Sequence, residues 1–149
     1  MTKVNFYHLT KLPVGKALPK LLEKVILSGV NVVVLAPTEE NVELLNRELW
    51  TYTTKFFLPH GSKKDGNEAE QPVYLTASNE NPNSSKVLAI VGDANPTDIT
   101  SFEKCLYMFD GNVEEQVSKA RQRWKEYKQS GHELTYWQQD NKGAWQQNN

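Results

Sequence analysis

The chain has 149 residues, 38% hydrophobic and 23% charged, with a net charge of −1 and one cysteine. That length buries one proper core and reads as one folded domain. Cys105 by itself makes neither an internal disulfide nor a cysteine-based zinc site, the opening MTKVNFYHL lacks the apolar run of a secretion signal, and no apolar stretch nears the roughly 20 residues of a bilayer span, so a cytoplasmic location without membrane function is expected.

"VNFYHL" (4–9) reads as a first strand. Leu18, Leu21, Leu22 and Val25 then recur at helical spacing, and Pro19 restricts the start of that helix to its own neighbourhood, since proline fits a first turn but not an interior. "NVVVLAP" (31–37) is a β-branched run suited to a strand covered on both faces. Thr38 is placed to cap a second helix, with Glu39 and Glu40 in its first turn and Val42, Leu45 and Leu49 on its inner face.

After Trp50 the periodicity fails. The polar span "SKKDGNEAE" (62–70) predicts a mobile loop, followed by the strand "PVYLT" (72–76), a second loop, and the strands "KVLAIVGD" (86–93) and "CLYMFDG" (105–111). A long helix is expected from about 113 to 130. The folded domain is taken as 1–137, and the amide-rich 138–149 is expected to fray as a disordered tail. Strands alternating with helices predict an α/β fold, a mainly parallel open sheet of Rossmann-like type with helices on both faces.

Sheets of that kind often bind nucleotides through glycines after the first strand. Here that segment is "TKLPVGKALP"; around Gly15-Lys16, Thr10 stands where a P-loop has glycine and Ala17 where it has Ser or Thr, so neither phosphate-binding fingerprint is present and no cofactor is expected. His8, His60 and His132 lack the spacing of a metal site. Asp93 and Asp110 end strands, where catalytic groups of α/β enzymes stand but where acids also close turns. They leave open an enzyme acting on a nucleotide or phosphoester.

The most concentrated signal is "KARQRWKEYKQSG" (119–131), in which Lys119, Arg121, Arg123, Lys125 and Lys128 stand against Glu126 alone. In so weakly charged a chain the patch is local, which favours a small anionic partner over an enveloped phosphate backbone, although direct binding of single-stranded nucleic acid remains an alternative. At about 100° per residue, Val113, Ala120 and Tyr127 share the arc expected to pack on the sheet. Arg121, Lys125 and Lys128 form a ridge beside it, and Trp124 and Val117 line the border. A solvated face whose cations complement the helix dipole accounts for the charges. A partly covered tryptophan flanked by three cations also suits a peptide with acidic residues and an apolar end. Trp50, Phe56, Phe57 and Pro59 form a second bulky cluster that either plugs the end of the sheet or presents an apolar patch, with His60 at its rim.

"FYHL", "LW" at the end of the second helix, "FLPHG" and "ARQRWKEYKQSG", in that order and spacing, resemble the chi subunit of bacterial DNA polymerase III. The resemblance implies a Rossmann-like fold that binds no nucleotide, and a non-catalytic adaptor in the clamp-loader assembly. It implies two partners: the acidic C-terminal tail of single-stranded DNA-binding protein, and the psi subunit in organisms that have one, with DNA engaged only indirectly. By position, Arg121 is the chief carboxylate partner, assisted by Lys125 and Lys128. Trp124 stands where the family often has tyrosine, and Val117 where some relatives have lysine. The psi-facing patch comprises Trp50, Phe57 and Pro59, with His60 beside it.

Overall fold

The computed structural model describes residues 2–52, 59–140, 142 and 144–147. The first strand forms as β1 (Lys3–Leu9), with Val4 and Phe6 on one face and Tyr7 and Leu9 on the other. Helix α1 (Val14–Leu27) follows and buries Leu18, Leu21 and Leu22. It begins earlier than its proline suggests: Pro13 is the N-cap and its carbonyl accepts from Lys16 and Ala17, so Pro19 falls in the second turn. Strand β2 (Val32–Leu35) is buried along its whole length. Helix α2 (Glu39–Thr51) starts as expected, the Thr38 hydroxyl accepting from the Asn41 amide at 3.2 Å, and buries Val42, Leu45 and Leu49.

The remaining strands are β3 (His60–Gly61), β4 (Val73–Thr76), β5 (Val87–Val91), β6 (Lys104–Asp110), β7 (Glu133–Gln139) and β8 (Trp145–Gln147), with helix α3 (Glu114–Gln129) between β6 and β7. They form one sheet in the order β3-β4-β2-β5-β6-β1-β7-β8, parallel throughout except for the antiparallel pair β7–β8. Helices α1 and α2 cover one face, packing on Leu9, Val32, Val34 and Leu106; α3 covers part of the other, over Phe6, Tyr107 and Phe109. The expected open α/β sheet with helices on both faces is therefore present.

Two stretches are more ordered than their composition suggests. The polar span 62–70 contains two short 3-10 turns, Lys63–Asp65 and Glu68–Glu70, because Asp65 accepts from the Ser62 amide at 2.9 Å and returns its own amide to the Ser62 carbonyl. The amide-rich end, expected to fray from 138, instead carries β7 through Gln139 and returns as β8. Gln139 is 4% exposed, and its Oε1 accepts from three successive amides, Thr10 at 3.0 Å, Lys11 at 3.0 Å and Leu12 at 3.2 Å. Asp140 forms the turn by accepting from the Lys142 and Ala144 amides, and Trp145 packs edge-on against Tyr7 at 5.2 Å. A buried glutamine that caps three successive backbone donors is structural, although composition alone counts it as solvent-seeking.

Candidate functional site: a cleft beneath the last helix

Helix α3 is fixed at its start by Gln116, whose side-chain oxygen accepts from the Asp110 amide at 2.8 Å, while Glu114 and Glu115 occupy the first turn, where carboxylates favour the exposed amides. Val113, expected on the sheet-facing arc, is the N-cap and is 38% exposed, because the chain there has not yet entered the helix. Ala120 is the one fully buried side chain of α3, and its small size lets the helix lie close to the sheet. One turn later Trp124 is only half-buried: its ring meets Phe6 at 5.2 Å and Tyr136 at 5.8 Å, both edge-on, a geometry that aromatic quadrupoles favour.

Between α3 and the carboxyl ends of β1, β6 and β7 lies an open cleft of about 520 Å³. Ala120, Arg121, Trp124 and Lys125 come from the helix, His8 and Phe109 from β1 and β6, and Tyr136 and Gln138 from β7. Arg121 and Lys125 are exposed at its mouth. Deeper in, His8 Nδ1 is 2.6 Å from the Tyr136 hydroxyl, and the imidazole lies 5.0 Å from the Phe109 ring. Burial first, and then the Arg121 guanidinium, hold His8 below the usual histidine range, with Asp110 pulling the other way. Burial raises the Tyr136 hydroxyl, against the pull of Arg121, so it stays protonated at neutral pH. The cleft thus combines aromatic walls with a cationic rim, a chemistry suited to an apolar side chain attached to carboxylates.

Of the residues anticipated here, Arg121, Trp124 and Lys125 come together. Val117 lies on the far side of Arg121, lining with it and Lys125 a hollow of about 390 Å³. Lys128 is exposed one turn on and does not line the cleft. Arg123 points elsewhere: it donates to Asn95 and lies 5.9 Å over the Tyr107 ring. His8, Phe109, Tyr136 and Gln138 were not anticipated. The alternation along β1 puts His8 on the Phe6 face, but that β6 and β7 flank β1 is long-range pairing with no local signature.

At the second cluster, Trp50 is 56% exposed, and His60, far from being at a rim, is 7% exposed with its ring 4.8 Å from the indole. Pro59 is half-buried. Phe56 and Phe57 lie outside the described residues.

The place where this fold class binds phosphates is differently furnished. A crevice of about 230 Å³ at the carboxyl ends of β5 and β6 is lined by Pro13, Val14, Asn41, Gly92, Asp93 and Asp110 among others. Two carboxylates oppose a phosphate there, and the three amides after β1 are already occupied by Gln139. Cys105 is fully buried, which pushes its thiol up to about 12 and keeps it from acting as a nucleophile. Among the described residues, no three His, Cys, Asp or Glu side chains come together as a metal-binding group, and no helix is long and apolar enough to cross a membrane.

The family model described as "DNA polymerase III chi subunit, HolC" matches residues 1–135. A protein of Rickettsia prowazekii (strain Madrid E), "Probable DNA polymerase III subunit chi", is 41% identical over 99 residues, a match that covers 66% of this chain and 58% of that relative's length.

Proposed function

The chain belongs to the DNA polymerase III chi subunit family, and from that premise we propose that it is a non-catalytic adaptor of the replication machinery whose α3 cleft grips the acidic C-terminal tail of single-stranded DNA-binding protein. The observation that carries this reading is the pairing of the half-open Trp124 ring with exposed Arg121 and Lys125 around one cleft. The apolar end of the tail lies against Trp124, Phe109 and Ala120 while its carboxylates meet the two cations at the mouth. Lys128 and Val117 bear on the approach rather than on the hollow.

Such a grip tethers the polymerase assembly to protein-coated single strands and raises its effective concentration there without contact to DNA. Exposed charges are screened over about 8 to 10 Å at ordinary ionic strength, so the tail exchanges readily as the coat is remodelled. The surface around Trp50 and Pro59 is the docking face for the second partner, the psi subunit linking to the clamp loader where an organism has one. The support is a tryptophan more than half exposed and braced from behind by His60.

Direct binding of single-stranded nucleic acid is the weaker reading, because Glu126 interrupts the cations of α3, Glu114 and Glu115 make its first turn acidic, and Arg123 is engaged by Asn95. The test is a calorimetric titration with a short Asp-rich synthetic peptide ending in Phe. Binding by the wild-type chain that is lost in Arg121→Ala, with an unchanged circular dichroism spectrum, supports the proposal. Equal titrations of the two proteins, or retention of bare single strands at moderate salt, refute it.

A further inference from the structure

We propose that His8 is a further binding residue of the cleft, one that takes up a proton as a carboxylate-bearing chain seats beside it. The inference rests on the tail-gripping reading and names the group that makes the grip depend on pH.

His8 is held on three sides. Its ring lies between Phe109 of β6 and Tyr136 of β7, beneath α3, and its Nδ1 is committed to the Tyr136 hydroxyl at 2.6 Å. Space for the other side of the ring comes from Gly111, where an added Cβ would lie 2.0 Å from His8 Nε2; any larger residue would displace the imidazole. Nε2 has no hydrogen-bond partner among the described residues, although the side chain is half-buried in a cleft lined by Arg121 and Lys125. An imidazole fixed at one nitrogen and unpaired at the other is a positioned donor for whatever fills the hollow.

The charged and titratable groups facing it define the sign of the effect. From α3 come Arg121 and Lys125, from the end of β6 Asp110, and from β7 Tyr136, whose hydroxyl burial keeps neutral. In the free protein, burial and Arg121 outweigh Asp110, and the imidazole is neutral near pH 7. A seated acidic chain supplies negative charge at the mouth, offsets the guanidinium and accepts from the Nε2–H of the imidazolium. His8 therefore binds protons more tightly in the complex than alone, and by linkage the complex tightens as pH falls, by about tenfold for each unit by which binding raises the group. The peptide's carboxylates stay ionised above about pH 5, so they do not mask this trend. His60 lies beneath Trp50, and His132 accepts from the Thr2 amide at the opposite end of β1; neither is in the cleft.

The test follows the His8 Cε1–H proton resonance of the wild-type protein through pH, without and with the Asp-rich, Phe-terminated peptide, and measures affinity at about pH 7.5 and about pH 5.5 for wild type, His8→Gln and Tyr136→Phe. The expected result is a midpoint raised by about one unit with peptide, several-fold tighter wild-type binding at the lower pH, and a smaller ratio in His8→Gln. A His8 midpoint that peptide leaves unmoved, or an equal affinity ratio in His8→Gln, overturns the role of His8 while Arg121-dependent binding stands. Absence of binding at both pH values overturns the tail-gripping reading and this inference together. The resonance is read in the unaltered chain, so the role of His8 is decided even where a variant fails to fold.

Discussion

The crevice at the strand ends and the cleft under α3 lie on one sheet, yet they are opposite in character. The crevice holds Asp93 and Asp110, and the neighbouring amides after β1 are satisfied from within by Gln139. The cleft holds Arg121 and Lys125 over aromatic walls, with Trp124 only partly covered. In open α/β sheets the strand ends are the usual ligand position because helix N-termini and free amides converge there. Here internal groups fill that role beside β5 and β6, and the half-open surface lies beneath α3, at the carboxyl ends of β1, β6 and β7.

The contrast is sharpest when each region is disabled in turn. Arg121→Glu reverses the charge at the cleft mouth, and peptide affinity should fall by roughly a hundredfold with the melting temperature little changed, as measured by calorimetry and thermal unfolding. Gln139→Ala should do the reverse. It deprives three part-buried amides beside α1 of their shared acceptor, and water reaches those of the exposed Lys11 and Leu12, so urea unfolding should show a loss of about 1 to 2 kcal/mol while a chain that remains folded keeps its peptide affinity. Trp124→Ala should lower both quantities, costing about 2 kcal/mol of stability and roughly tenfold in affinity, whereas Trp124→Tyr should retain most of each. Asp93→Asn in the crevice should alter neither quantity beyond error; a marked loss of peptide binding there would break the contrast.

The smallest effect concerns pH and the free protein. His8 titrates lower folded than unfolded, so the native state binds fewer protons and this group subtracts stability as pH falls through about 6.5, the unfolded value, toward its folded one. Melts at about pH 7.5 and about pH 5.5 should show that deficit, reduced in His8→Gln and reduced again when peptide is present.

Much of the fold was legible because it is written locally. The β-branched run of β2, the Thr38 cap and the Val42, Leu45 and Leu49 stripe of α2 each state their own structure. Pro19 misled by one turn, since the helix start depends on Pro13 and the sequence holds two prolines that suit a beginning. The tail misled further: Gln139 reads as a solvated amide until β7 places it against the amides of Thr10, Lys11 and Leu12, more than a hundred positions earlier. The cleft divides in the same way. Arg121, Trp124 and Lys125 share one helix, and their spacing announces a surface. His8, Phe109 and Tyr136 join them only because β1 is paired with both β6 and β7, a fact of topology that no short window contains. Of the Trp50 cluster, the residue read as a rim group, His60, is packed beneath the indole.

The most direct test of where the ligand sits is an amide-resolved titration of the isotope-labelled chain with the Asp-rich, Phe-terminated peptide. The account predicts shifts concentrated at Ala120 to Lys125, His8, Phe109 and Tyr136, with Gly92, Asp93 and the start of α1 unmoved. Shifts centred on those crevice residues, with the α3 resonances still, would contradict it.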